Sequence, residues 1–287
     1  MSYVKVNDLY NKFNQLDTTY SQHISTSKKQ LFLNKANELP LSFWWNWYSK
    51  GLFILVLFWD PEKEKNKNEL MENMYCFIST LFKMFPKLEI RKLAEDFLNC
   101  EEYVYTILES NLKSFFVSYS SYLEGLKYCI GNPNSFLRLC LQSSESLFIF
   151  IYLFQCFILI MHNKQGHHVN IPHYIDIKNL YAPEKIDKYD WGRPLWFILH
   201  TVALYAPEPL TESFKNYKQM LSCLQHLLPC PKCRFHLSEN LLKINLDKCA
   251  RTREDLFKCS WELHNIVNKD TNKRELTFNE AIQIYQI

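Results

Sequence analysis

Apolar residues recur at helical spacing along most of the chain, and no stretch of useful length shows the alternation that a half-buried strand needs. Residues 1–164 consist of long runs of Leu, Phe, Ile, Lys and Glu with few glycines. Further along, Leu221, Leu224 and Leu227 form an apolar stripe that runs into Pro229. We therefore predict an all-α protein.

Two apolar runs raise the question of a membrane span. Residues 147–161 are almost wholly apolar apart from Gln155, and residues 52–59 form a shorter run. Both fall short of the roughly 20 residues that a spanning helix needs. We expect both runs to be buried in the core, and we predict no membrane span.

A polar stretch divides the chain into two helical parts. It runs from 162 to 190 and contains Gly166, Pro172 and Pro183, which favour loop structure. We predict an N-terminal helical domain at 1–164, a linker at 165–190 and a second helical domain at 191–287.

The candidate chemistry centres on one motif, Cys230-Pro231-Lys232-Cys233. Pro231 suits the first turn of a helix, so the motif is predicted to lie at a helix N-terminus. There the exposed amides and the macrodipole favour a thiolate, and Lys232 and Arg234 add positive charge. We expect at least one thiol to have a pKa below the ordinary value of about 8.5. Half of a zinc site, a thioredoxin-like site and two inert buried thiols are the alternatives.

The segments on either side of this motif carry flat and polar side chains. Residues 192–205 read as a helix in which Trp196 and His200 are one turn apart and share a face. A later helix starts at 252–255 with capping-box character and ends in His264-Asn265-Ile266-Val267-Asn268. Such groups suit a flat, partly polar cofactor.

Together these three segments resemble the Erv/ALR family of FAD-linked sulfhydryl oxidases. The family pattern is Gly-Arg-x-x-Trp-x-x-x-His, then Pro-Cys-x-x-Cys, then His-Asn-x-Val-Asn. All three occur in this order within residues 191–268. The resemblance implies an FAD-binding helical bundle in the C-terminal part of the chain.

The resemblance also implies a role for each matched residue. Cys233 would lie against the flavin as the charge-transfer thiolate, and Cys230 would exchange with the incoming dithiol. The cofactor would be lined by Arg193, Trp196, His200 and Tyr205 on the flavin side, and by His264, Asn265, Val267, Asn268, Lys269 and Lys273 on the adenine, ribose and phosphate side. Electrons from protein dithiols would pass through FAD to molecular oxygen and give hydrogen peroxide. A homodimer is the expected assembly.

The chain departs from the family pattern at one position. Many members clamp their last helices with a disulfide that uses a cysteine three residues before the His-Asn pair, and here that residue is Trp261. Cys249 and Cys259 either form a substitute bridge or remain free thiols.

The first part of the chain contains a weak echo of the second. Phe85-Pro86 followed by 87–91 can be laid over Leu228-Pro229 followed by 230–234, with Lys87 and Ile90 at the positions of the two cysteines. The echo is either a chance likeness between two helical regions or the trace of a degenerate, FAD-free copy of the same bundle.

Composition bears on the kind of partner and on the cellular location. The ten cysteines are scattered, unlike those of a secreted disulfide scaffold, and a net charge of +3 is too small to indicate a nucleic-acid partner. The opening residues do not read as a secretory signal. The abundance of Asn, Lys, Ile, Phe and Tyr suggests an AT-rich genome such as that of a large DNA virus. We expect a protein of the host cytoplasm, host nucleus or virion that is not secreted and holds no metal.

The alternative to an oxidase is a zinc-stabilised or cysteine-rich helical interaction protein without catalysis.

Overall fold

The computed structural model describes residues 41–112, 120–164, 170–182, 190–249 and 251–285, so the predictions for residues 1–40 lie outside it. Within these ranges the chain is helical and contains no strand, which confirms the all-α prediction. The α-helices are α1 (Leu41–Leu57), α2 (Lys67–Lys83), α3 (Leu88–Leu98), α4 (Glu102–Leu112), α5 (Ser120–Tyr128), α6 (Ser135–Cys140), α7 (Ser144–Lys164), α8 (Tyr174–Leu180), α9 (Gly192–Leu204), α10 (Leu210–Leu227), α11 (Pro231–Lys243), α12 (Arg253–Asp270) and α13 (Phe278–Tyr285). A short 3₁₀ turn, Leu246–Cys249, joins α11 to α12.

The first helices enclose a core of aromatic rings. The Phe154 ring on α7 lies 4.2 Å from Phe82, 5.2 Å from Phe97 and 5.6 Å from Trp45, measured between ring centroids. Phe85 adds a stacked ring 6.0 Å from Phe154. All five side chains are buried. Edge and stacked contacts of this kind add to the free energy gained by burying the rings.

Helix α7 is longer than its apolar run suggested. It spans 21 residues because polar residues at both ends, Ser144–Ser146 and His162–Lys164, continue the helix beyond the apolar stretch. By length and hydropathy it is therefore long enough to cross a membrane, contrary to the length argument made from the sequence. The expectation of burial is confirmed, since thirteen of its residues are buried among the other helices.

Part of the predicted linker is folded. Helix α8 lies within 165–190, and the Tyr174 ring on it packs 5.2 Å from Tyr152 of α7. The Tyr152 hydroxyl donates to the Pro172 carbonyl at 3.0 Å. The described residues on both sides of this stretch belong to one compact unit, so the division at 164 and 190 stays a prediction about domains.

The two halves of this unit meet along a seam formed by two helix pairs, α1 with α9 and α2 with α10. At the first pair, the Tyr48 hydroxyl and Thr201 Oγ1 are hydrogen bonded at 2.8 Å. Gly51 permits the close approach, because a Cβ there would lie 2.7 Å from Ile198 Cδ1. The seam thus fixes the position of α9 and α10, the helices that precede the dithiol.

The echo between the halves extends to a hydrogen-bonded turn. Arg91 Nη1 donates to the carbonyl of Phe85 at 2.6 Å, and Arg234 Nε donates to the carbonyl of Leu228 at 2.7 Å. In both places, an arginine in the first turn of one helix donates to a backbone carbonyl that has no partner within the preceding helix. The aligned residues therefore share a geometry as well as a spacing.

We expect Phe154→Ala to lower the free energy of unfolding by about 3–5 kcal/mol, because it removes a fully buried ring and leaves a cavity among four others. Urea denaturation followed by circular dichroism measures the change. Tyr128→Ala is the control, since Tyr128 is 85% exposed and its loss should change stability by no more than about 0.5 kcal/mol. Equal effects of the two substitutions would contradict the ring-centred core.

Candidate functional site

The dithiol lies at the start of α11, as predicted. Cys230 is the N-cap residue, Pro231 is the first helical residue, and the Cys233 backbone N–H donates to Cys230 Sγ at 3.3 Å. Both cysteines are partly exposed. The Cys230 sulfur thus takes the capping position that an oxygen takes in most helices, where a negative charge is stabilised by the helix amides.

Cys233 is not the thiol with a lowered pKa that the sequence led us to expect at one of the two positions. Burial, followed by the hydrogen bond and charge of the adjacent Cys230 sulfur, raises the pKa of the Cys233 thiol, and the charge of Lys232 only partly offsets these effects. The sequence argument counted the helix and the cations but not the second sulfur. Once Cys230 is bonded to another sulfur, it carries no charge that would oppose a thiolate at Cys233.

Arg234 connects the dithiol to the first half of the chain. Besides its bond to the Leu228 carbonyl, its Nη1 donates to Glu64 Oε1 at 2.9 Å. Glu64 lies in the connection between α1 and α2. One guanidinium therefore links the end of α10, the start of α11 and a loop of the first half.

A stack of three flat rings lies between α9 and α12. The Trp196 and His264 rings are nearly parallel, with centroids 4.1 Å apart and an interplanar angle of 6°. His200 lies 5.7 Å from Trp196 and 5.1 Å from His264. Trp196 and His264 are partly exposed and His200 is buried, so the stack has an inner end and an accessible end. The predicted common face of Trp196 and His200 is confirmed.

A chain of hydrogen bonds orients the two histidines. Ser260 Oγ lies 2.7 Å from His200 Nδ1, and His200 Nε2 lies 2.9 Å from His264 Nδ1. With the Ser260 hydroxyl as donor, the proton of neutral His200 is on Nε2 and that of neutral His264 is on its outer nitrogen, Nε2. Ser260 was not predicted, although its position one turn before His264 was visible in the sequence.

Both histidines are held neutral. Burial lowers the pKa of His200 well below its ordinary value, and the neighbouring His264 acts in the same direction. Burial, followed by the positive charge of Lys273, lowers the pKa of His264 to about 4. At neutral pH the stack is therefore an uncharged aromatic surface with a cation nearby.

Asn265 and Trp261 hold the segment after α12 in place through hydrogen bonds to Leu276. Asn265 Nδ2 donates to the Leu276 carbonyl at 2.7 Å, and the Leu276 N–H donates to Asn265 Oδ1 at 2.9 Å. Trp261 Nε1 donates to the same carbonyl at 2.7 Å, and the Trp261 ring packs 5.5 Å from Phe278. Trp261, which replaces the expected clamp cysteine, therefore holds α13 through contacts that need no sulfur.

The remaining predicted residues lie on α9 and α12 or just beyond their ends. Arg193 is exposed at the start of α9, and Tyr205 is buried at its end. Val267 is partly exposed on α12, and Lys269 and Lys273 are exposed at and beyond its C-terminal end. The buried Asn268 accepts the Lys273 N–H at 2.7 Å with its backbone carbonyl, which places Lys273 close to the end of α12.

Cys249 and Cys259 are bonded to each other, so the substitute bridge is the alternative that holds. Their Cα atoms are 6.0 Å apart, within the range that a disulfide spans. The bridge joins the 3₁₀ turn to α12, the helix that carries His264. Within the described ranges, no three His, Cys, Asp or Glu side chains are placed to hold a metal ion.

An accessible dithiol at a helix start, on a helix that packs against one carrying part of a neutral aromatic stack, is an arrangement suited to thiol–disulfide chemistry. The model of the Erv1/Alr family matches residues 193–286, which include the dithiol, the stack and α13. The chain belongs to the Erv1/Alr family.

Several relatives are viral. The chain is 38% identical over 95 residues to the "Probable FAD-linked sulfhydryl oxidase R368" of Acanthamoeba polyphaga mimivirus, a match that covers 32% of this chain and 66% of that protein. It is 30% identical over 103 residues to the 096R protein of Invertebrate iridescent virus 3, also named for this activity, covering 36% and 70%. A third relative is the FAD-linked sulfhydryl oxidase of African swine fever virus isolate Pig/Kenya/KEN-50/1950, at 29% over 106 residues, covering 33% and 80%.

The matched segment thus covers about two thirds or more of these viral relatives but only about a third of this chain. No solved structure matches the chain significantly.

The stability of the protein should fall as the pH is lowered from 7 to 5, in part because of His264. The folded-state pKa of about 4 lies below the ordinary value of 6.5, so between these values the unfolded chain binds a proton that the folded chain does not. His264 alone should account for about 1–2 kcal/mol of this loss at pH 5.

His264→Asn should reduce the difference in free energy of unfolding between pH 7 and pH 5, as measured by urea denaturation at both values. The matched control is His226→Asn at the exposed end of α10, which removes a histidine without touching the stack. Equal pH dependence in H264N and the unsubstituted protein would refute the low pKa.

Proposed function

We propose that this protein is an FAD-dependent sulfhydryl oxidase that forms disulfides in protein substrates and passes the electrons to dioxygen. The observation that carries the proposal is that the dithiol and part of the aromatic stack lie on two helices that pack together. The accessible dithiol starts α11, and α11 packs against α12, which supplies His264 to the aromatic stack. The names of the viral relatives support the same activity.

The residues around the stack fit FAD in their chemistry. An accessible, uncharged Trp–His surface suits a planar ring system, and the exposed Lys269 and Lys273 suit a pyrophosphate. The Trp191 indole N–H, just before α9, is a buried donor without a recorded partner among the described residues, which is an unusual state for a buried polar group. Arg193, Trp196, His200 and Tyr205 would hold one side of FAD, and His264, Asn265, Val267 and Asn268 the other.

The dithiol performs the exchange steps. A substrate thiolate attacks Cys230 Sγ in the Cys230–Cys233 disulfide, a new sulfur–sulfur bond forms, and Cys233 leaves as a thiolate. The second substrate thiolate then attacks its partner sulfur, so the substrate disulfide forms and Cys230 leaves as the second thiolate. FAD, when bound, supplies the acceptor for the electron pair and its transfer to dioxygen as hydrogen peroxide.

This order of events accounts for the raised pKa of Cys233. The Cys233 thiolate is generated by cleavage of a disulfide, so no proton has to be removed from a thiol that resists ionisation. At that moment the Cys230 sulfur is covalently occupied and no longer opposes the negative charge, which Lys232 favours and burial still opposes. The Cys233 sulfur therefore has to be a thiolate only during this step.

We expect Cys233→Ser and Cys230→Ser each to abolish oxygen consumption with dithiothreitol while the yellow flavin colour is retained. The two variants should differ in a second measurement. Treated with oxidised glutathione, C233S should accumulate a stable mixed disulfide at Cys230, seen as added mass, because the resolving sulfur is absent.

Cys129→Ser, a substitution in the first half, is the control and should leave turnover unchanged. Turnover by C233S at the unsubstituted rate would exclude its assigned role. A colourless preparation that contains zinc would instead favour the interaction protein considered above.

Ser260→Ala should weaken FAD binding about fivefold, because the loss of one hydrogen bond of about 1 kcal/mol frees His200 to take the other tautomer. Fluorescence titration of the flavin-free protein with FAD gives the dissociation constant. Ser238→Ala on α11 is the control, since the Ser238 hydroxyl bonds only within its own helix, to the Phe235 carbonyl. Identical affinities of S260A and S238A would contradict an orienting role for Ser260.

The first half supports this activity as a scaffold. We infer that it is a degenerate copy of the bundle, since its turn at Arg91 repeats that at Arg234 while Lys87 and Ile90 replace the cysteines. Where the second half has an accessible stack, the first has the buried rings of Trp44 and Tyr48. Homodimerisation and a location in the host cytoplasm, host nucleus or virion stay predictions. A dimer would need surfaces other than the seam faces of α9 and α10, which α1 and α2 cover.

A further inference from the structure

Large apolar side chains form a stripe on the outer face of α11. Pro231, Phe235 and Leu242 follow one another at intervals of four and seven residues, which places them on one side of the helix. Phe235 is 63% exposed and Leu242 is 82% exposed. The residues that α11 buries, Leu237 and Asn240, lie on its opposite side, and the helix packs against α10 and α12. The stripe therefore faces away from the bundle.

The stripe begins at the dithiol. Pro231 directly follows Cys230, the N-cap residue of the helix. With a rise of about 1.5 Å per residue, Phe235 lies about 7 Å and Leu242 about 18 Å from Cys230 along the helix axis. An extended peptide covers about 3.3 Å per residue. If its cysteine exchanges with Cys230, its side chains about two and about six residues away would therefore lie over Phe235 and Leu242.

A row of exposed polar residues flanks the stripe on one side. Lys232, His236, Glu239 and Lys243 are all exposed and also follow one another at helical spacing. Lys243 Nζ donates to Asn240 Oδ1 at 2.7 Å, whereas Lys232 lies in the first turn, next to the dithiol. Two lysines against one glutamate give this flank a positive charge. An acidic side chain close to the cysteine of the bound segment would complement it.

We propose that this face of α11 docks an extended, cysteine-bearing segment of the protein substrate. The segment has large apolar side chains about two and about six residues from its cysteine and an acidic residue beside the cysteine. The proposal rests on the proposed function, since this is the cysteine whose thiolate attacks Cys230 Sγ. A second copy of the chain seated on the stripe would cover Cys230 and block the exchange, so the geometry favours the substrate as occupant. Aligned apolar side chains on a surface also mark an interaction site better than scattered ones.

Binding to the whole protein can be measured without any sulfur chemistry. The probe is a fluorescein-labelled peptide with Phe and Leu at the two apolar positions, Glu at the acidic position and Ser in place of the cysteine. The doubly substituted F235S/L242S protein should bind it about tenfold more weakly by fluorescence anisotropy, because two large apolar contacts are lost. Leu139→Ser is the matched control, since Leu139 is a 52% exposed leucine on α6 of the first half. Equal affinities of the unsubstituted and F235S/L242S proteins would overturn the proposal, whether or not the protein is an oxidase.

Turnover gives a second measurement. The substrates are the same peptide with two reduced cysteines and dithiothreitol, which is too small to reach Phe235 from Cys230. The ratio of kcat/KM for the peptide to kcat/KM for dithiothreitol should fall about tenfold in F235S, mainly through KM. An unchanged ratio would argue against docking on the stripe. If the unsubstituted protein oxidised neither substrate, the proposed function would fail, and the anisotropy result would still decide the docking surface.

The alternative occupant is tested by sedimentation velocity. The unsubstituted and F235S/L242S proteins should sediment alike, because the substrate segment is absent from both. A dimer that dissociates on substitution would instead identify the stripe as an interface between copies of the chain, and the proposal would be wrong.

Discussion

The packing of α1 and α2 against α9 and α10 is the constraint on which the rest of the structure depends. Every residue of α9 from Pro194 to Leu204 is buried except Trp196. Part of that surface faces α1, where Gly51 leaves room for the Ile198 side chain. Because α9 is fixed on this side, its remaining face can offer Trp196 and His200 to α12 in a defined orientation. The catalytic half alone would expose this apolar surface to water, which is unfavourable.

The dithiol and the aromatic stack have different electrostatic environments. Burial keeps the imidazoles of His200 and His264 uncharged, and the Lys273 cation reinforces this for His264. At the dithiol, burial and the second sulfur oppose a negative charge on Cys233 and raise its pKa, whereas Lys232 and the helix start favour the charge. The pKa of a group at this site therefore depends on neighbouring groups whose bonding changes during turnover, as well as on the fixed fold.

The sequence predicted the helices and the dithiol well because their signals are local. Pro231, the capping box at Thr252 and the apolar stripe before Pro229 each determine structure within a few residues. The features that the sequence did not predict depend on contacts between distant parts of the chain. The bond from Arg234 to Glu64 and the bond between Tyr48 and Thr201 join residues far apart in the chain. The length of α7 was underestimated for another reason, since polar residues at helix ends carry no apolar periodicity.

The repeated arginine turn separates what the bundle needs for shape from what it needs for chemistry. In the first half, the cysteine positions hold Lys87 and Ile90, yet the proline and the arginine keep their spacing and the same kind of carbonyl bond. The arginine therefore serves the helix-to-helix corner, which exists with or without sulfur. A helix-to-helix corner of this kind is recognised by its proline-to-arginine interval, which does not depend on a cysteine motif. The same interval can be sought in helical chains that lack the two cysteines.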